Sequence, residues 1–198
     1  MSARVILVRH GSHDLLGKVL CGRMDGVGLN AAGAAQAEAV ARRLGRQKVA
    51  AVYTSPRERC RQTAARIGAA LDQEPVVAEA LDEIDFGTWN GASFADLEGM
   101  TEWDAWNAAR GSARPPDGES MAEVADRLVA WLDDAGRRHA DATVVAVSHA
   151  DVIKAALCTA LGLPFDRYDR FDVDPGSMST VVVGRWGMRV QGINEAAA

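Results

Sequence analysis

The stretch VILVRHGSHD, residues 5–14, sets four apolar residues, Val5–Val8, against Arg9, His10 and Gly11. A run of Val, Ile and Leu bounded by glycine reads as a buried strand. A buried strand that ends by presenting a guanidinium and an imidazole, then a residue free to turn, puts polar chemistry at its carboxyl end.

Outward from that strand, strand and helix signals alternate. Leu29–Leu44 (LNAAGAAQAEAVARRL) has the spacing of an amphipathic helix, with Asn30 as its cap. Ala50–Thr54 is a short strand. Ser55-Pro56 reads as a capping residue and a first-turn proline, opening a helix that runs to about Leu71. Val76-Val77 is a brief strand, Glu119–His139 a long helix, Thr143–Val147 a strand and Ala150–Leu161 a helix. Val181–Val183 and Met188–Gln191, around Gly184-Arg185-Trp186-Gly187, form a closing antiparallel hairpin, and Glu195–Ala198 read as a frayed end. Residues 98–119 hold Trp103, Trp106, Gly111 and Pro115-Pro116-Asp117-Gly118, the makings of a loop or lid.

This alternation predicts an α/β protein, a three-layer α/β/α sandwich around a mostly parallel central sheet. The 198 residues suit one domain, 1–198, with a small lid segment at about 92–118. At 48% hydrophobic and 25% charged the composition is that of a globular protein, and a net charge of -5 argues against nucleic acid or an anionic membrane as partner. No segment reaches the roughly 20 apolar residues of a membrane helix. Cys21, Cys60 and Cys158 have neither metal-like nor redox-like spacing and fit a reducing, cytoplasmic setting.

Ligands of such sheets gather at the carboxyl ends of the strands. Val5–Val8 ends in Arg9-His10-Gly11, Ala50–Thr54 in Ser55-Pro56-Arg57-Glu58-Arg59, and Thr143–Val147 in Ser148-His149. If these strands are parallel neighbours, two of the four histidines and at least two arginines share one rim near helix N-termini, where free N–H groups favour anions. Arginine adds planar donors that match phosphate oxygens in pairs. Any one of these residues alone reads as a surface or capping residue; together they read as a phosphate pocket.

The ordered set LVRHG, Gly22-Arg23, Leu29…Gly33…Gln36-Ala37, Ser55-Pro56…Arg59…Gln62-Thr63-Ala64, Leu81-Asp82-Glu83…Phe86-Gly87…Trp89…Gly91, Gly118-Glu119-Ser120 and Ser148-His149 resembles the histidine phosphatase superfamily, with its phosphoglycerate mutase-like fold. The resemblance implies His10 as nucleophile, forming a phosphohistidine, with its other ring nitrogen held by a backbone carbonyl at the Arg9-His10-Gly11 turn. It implies Arg9, Arg59 and His149, the last best protonated, as clamps on the phosphoryl oxygens. Glu83 matches the proton donor, with Asp82 and Asp85 as rivals. Gly11, Ser12 and Arg23 join the substrate-binding set, while Arg57 and Arg61 point to solvent. Neither metal nor cofactor is implied.

Where the superfamily usually has Glu-Thr after the turn and Asn six residues past the histidine, this chain has Ser12, His13 and Leu16. His13 is a substrate contact or a surface turn residue. Met24, Trp89, Trp103 and Trp106 line the pocket or pack the lid. The resemblance implies a phosphomonoesterase acting on a small phosphorylated metabolite. A 2,3-bisphosphoglycerate-dependent phosphoglycerate mutase is the first alternative; it would carry a longer insertion after the acid and a longer tail. A non-catalytic phospho-ligand-binding module is the second. The closing hairpin offers an exposed edge, which leaves monomer and homodimer both open.

Overall fold

In the computed structural model, which describes residues 2–197, the opening apolar run lies in β1 (Ser2–Arg9). Val5, Ile6, Leu7 and Val8 are all buried, alternately on the two faces of a sheet. Each such side chain removed from water contributes about 1.5–3 kcal/mol, which draws this strand to the middle. β1 pairs in parallel with β4 (Thr143–Ser148) and antiparallel with β5 (Met178–Gly184). β4 continues in parallel through β2 (Ala51–Thr54) to β3 (Val76–Val77), and β6 (Gly187–Glu195) pairs antiparallel with β5. The six-stranded order is β3-β2-β4-β1-β5-β6. The α/β sandwich is as expected, its sheet a parallel block of four extended by the closing hairpin.

Helices α1 (Ala31–Leu44), α2 (Glu58–Leu71), α3 (Phe94–Leu97), α4 (Thr101–Ala108), α5 (Met121–Arg138) and α6 (Ala150–Leu161) connect these strands. α1 and α2 cover one face, where Val40, Leu44, Ala64 and Ile67 join Ile6, Val8, Val145 and Val147. α5 and α6 cover the other, where Val124, Leu128, Leu132, Ile153 and Leu157 join Val5, Leu7, Val144 and Ala146. None of these helices is long and apolar enough to cross a membrane.

Four local expectations change. α2 starts at Glu58 with Arg57 at the capping position, while the Ser55 hydroxyl accepts the Arg57 N–H at 3.3 Å just ahead of the helix and also meets Asp82 and His149. α5 starts two residues later than expected because Ser120 caps it, in a reciprocal box with Glu123. The segment expected as a loop or lid contains α3 and α4, and Trp106 on α4 is fully buried against Phe86, Trp89 and Trp103. The end expected to fray instead continues β6 to Glu195, and Ala197 packs against the α1–α2 layer. Ala198 lies outside the described residues.

Candidate active site

Backbone pairing brings the three strand ends together. Arg9 lies opposite Ser148 in the β1–β4 register, and the His10 N–H donates to the Ser148 carbonyl at 3.0 Å. The Ser55 N–H, just past β2, donates to the Val147 carbonyl at 2.9 Å. His10, Ser55 and His149 therefore share one rim.

The His10 Nδ1 lies 2.8 Å from the Gly11 carbonyl. A carbonyl only accepts, so Nδ1 carries the proton and Nε2 keeps its lone pair. That lone pair receives the Arg59 Nε–H at 3.3 Å. Burial, then the Arg59 and Arg9 charges, hold the ring well below the ordinary histidine range, so it is neutral at pH 7. Gly11 serves this geometry through close approach rather than through a left-handed turn. A Cβ on Gly11 would sit 2.3 Å from the Gly33 carbonyl oxygen, and one on Gly33 would sit 2.0 Å from that of Ser12.

Arg59, on the first turn of α2, is 1% exposed. Its Nη2 donates to the Gly22 carbonyl at 2.7 Å and lies 3.1 Å from His149 Nδ1. Arg9 donates from Nη1 to the Val173 carbonyl at 2.6 Å. His149, fully buried at the start of α6, has Nε2 2.8 Å from the Ser55 hydroxyl, which itself donates to Asp82 Oδ1 at 3.2 Å. The hydroxyl spends its proton on Asp82, so His149 carries its own on Nε2 and offers Nδ1 to Arg59. Burial, then Arg59 and His10, keep His149 neutral here; the imidazolium expected from the sequence is one that a bound phosphate favours. Charging it requires an anion alongside.

Glu83 follows a single 3₁₀ turn (Glu79–Leu81) that Ser148 ties down by donating to the Leu81 carbonyl at 2.7 Å. Its Oε2 is 3.5 Å from His149 Nδ1 and its Oε1 accepts the Ile84 N–H at 3.0 Å. Burial, reinforced by the Asp151 charge, pushes its pKa up to about 8. Its rivals are saturated. Asp82 accepts from Ser55, the Glu83 N–H and Arg57 Nε, and Asp85 from the Gly87 N–H and Asn90. Around His10 three buried nitrogens have no hydrogen-bond partner among the described residues: Arg9 Nε, His13 Nδ1 and Arg59 Nη1. Buried donors are ordinarily paired, so this cluster is built to receive an acceptor-rich group.

The sequence matches the histidine phosphatase superfamily (branch 1) over residues 5–196. The chain belongs to that superfamily. It is 30% identical over 183 residues to phosphoserine phosphatase 1 of Hydrogenobacter thermophilus, covering 90% of this chain and 85% of that one. Its fold is similar to a phosphoserine phosphatase from Entamoeba histolytica solved with 3-phosphoglyceric acid (TM-score 0.85, 28% identity, 98% of each chain). It is also similar to a mycobacterial glucosyl-3-phosphoglycerate phosphatase (TM-score 0.83, 27% identity, 99% of this chain and 100% of that one). By these relatives the chain is a phosphoric monoester hydrolase.

Within this superfamily fold, the remaining candidates fall in different places. Ser12 is held by its backbone, its N–H on Gln36 Oε1 at 2.8 Å and its carbonyl on the Asn30 N–H at 3.0 Å. Arg23 donates to the Glu83 carbonyl and to Glu119, and lies within 3.6 Å of Asp82 and Asp85. Arg57, expected in solvent, instead bridges Asp82 and Asp25, because Asp82 sits directly beneath it; Arg61 is exposed. Trp89 and Trp106 are core residues of an aromatic cluster rather than pocket lining. His13 is buried, its ring centroid 5.5 Å from that of His10, so it is not a surface turn residue. The relay through Ser55, the Thr63 hydroxyl that accepts the Gly11 N–H at 3.2 Å, and the Asp151 charge behind Glu83 were not foreseen. The one signal for Ser55 was its cap-like position, which pointed only to the helix start, where its hydroxyl does accept the Arg57 N–H at 3.3 Å.

Proposed function

We propose that this protein hydrolyses small phosphorylated metabolites through a phosphohistidine on His10, with Arg9, Arg59 and His149 as clamps and Glu83 as acid and base. His10 Nε2 attacks phosphorus, and the ester P–O bond breaks as the N–P bond forms. Arg9 and Arg59 face the non-bridging oxygens, whose charge is what such a transfer must stabilise. Glu83 gives its proton to the departing alkoxide. The same carboxylate then takes a proton from water, whose oxygen attacks phosphorus and releases inorganic phosphate and free His10. No step calls for a metal or a cofactor.

The observation that carries this reading is the set of unpartnered buried donors around a nucleophile whose free nitrogen is fixed by the Gly11 carbonyl. For the substrate, the relatives supply the first panel: phosphoserine, 3-phosphoglycerate and glucosyl-3-phosphoglycerate share a phosphorylated three-carbon carboxylate. Phosphate release should be measured across such a panel, ranked by kcat/KM, with His10→Ala beside the wild type. Release from at least one member, lost in His10→Ala, is the expected result. No release from any member, or release that survives the substitution, would overturn it.

A further inference from the structure

His13 takes no part in the mechanism above, yet it is one of the most constrained side chains near it. The ring is only 6% exposed, and its Nδ1 is one of the three buried nitrogens around His10 without a partner among the described residues. It stands 5.5 Å from the His10 ring, tilted by 37°, while His149 stands 5.2 Å from His10. His10 is therefore flanked by two imidazoles. A ring kept only for packing is served as well by an apolar side chain, which leaves no buried nitrogen unpaired. The backbone fixes the ring's position, because the Ser12 N–H is held by Gln36 and the His13 carbonyl accepts the Leu16 N–H at 3.1 Å.

We propose that His13 is a phosphoryl-oxygen ligand of this site, a neutral imidazole that donates one hydrogen bond to the anion gathered by Arg9 and Arg59. The inference rests on the phosphatase reading of the pocket and assigns a role to a side chain that reading leaves unused. The charged and titratable groups facing the ring are Arg59 from α2, Arg9 and His10 from the end of β1, and Asp14 from its own loop. Burial and the two arginines hold His13 near pKa 4, against the opposing charge of Asp14. A phosphate oxygen within hydrogen-bond reach reverses that balance, so anion binding draws the pKa of His13 upward.

The test is a pH titration of the wild-type histidine ring signals by NMR, assigned from the backbone, with and without saturating inorganic phosphate. His139, paired to the Tyr53 hydroxyl at 2.8 Å, is the internal reference. The expected result is an upward move of the His13 titration from about 4, alongside changes at His10 and His149, with His139 unmoved. Movement of His10 and His149 without His13 would overturn this inference and leave the phosphatase site standing. Silence at all three rings would overturn the anion site itself, and this inference with it. In kinetics, His13→Leu is expected to lower kcat/KM by about 10–100-fold while His13→Gln, which keeps a donor, recovers most of the loss. Equal kcat/KM in His13→Leu and wild type would contradict it.

Discussion

Glu83 holds its proton at neutral pH because burial and the Asp151 charge outweigh the pull of Arg59, the Ile84 N–H and Arg9. An acid must be protonated to act, so kcat/KM is expected to fall as pH rises through about 8. On the acid side activity should persist well below pH 6.5, because His10 stays neutral there. A pH–rate profile checks both limbs, and Glu83→Gln should lower the rate and remove the basic limb. The same raised pKa bears on stability. A carboxyl with a higher pKa folded than unfolded costs the fold progressively more from about 4.5 up to about 8, and no more above that. Glu83→Gln should therefore melt above the wild type, by a margin that widens from pH 5 to 8 in calorimetry. Arg59→Lys replaces two converging donors by a point charge, and a kcat/KM loss of about 10²–10³-fold is expected in steady-state assays. A loss under threefold would remove Arg59 from the clamp.

Among the elements, the contact between the Arg9-His10-Gly11 turn and the start of α1 is a tight backbone-on-backbone constraint on the site. Gly33→Ala would push a methyl group to 2.0 Å from the Ser12 carbonyl oxygen, a backbone atom, so one of the two backbones must shift. A loss of about 1–3 kcal/mol or more is expected in urea unfolding, with a matching loss of activity as His10 tips away from Arg59. The elements also show what local sequence reports. The runs Val5–Val8 and Thr143–Val147 and the cap at Asn30 were legible because periodicity and capping act within a few residues. Ser55 accepts the Arg57 N–H at 3.3 Å as a cap would, but its further role misled because its other partner, His149, lies 94 residues away. Arg57 misled for the same reason, its partner Asp82 lying 25 residues on.

At the scale of the whole molecule, a two-faced sheet lets one rim collect side chains from β1, the β2–α2 junction, the loop before Glu83 and the β4–α6 junction. The residues at the strand ends were legible as a set because apolar runs mark where each strand stops. The packing of residues 92–118 was not, because tryptophans in a polar segment carry no periodicity that separates lid from core. Trp106, fully buried among Phe86, Trp89 and Trp103, anchors that segment. Trp106→Ala is expected to cost about 3–5 kcal/mol in denaturant unfolding. A cost near zero would return Trp106 to the surface. What joins fold to function is a covalent bond that either forms or does not. Rapid acid-free quenching during turnover of a radiolabelled phosphomonoester, followed by peptide mapping, should place an alkali-stable, acid-labile phosphate on the peptide bearing His10 and nothing on His10→Ala. Turnover with no phosphoenzyme, or label on any other residue, would contradict the mechanism.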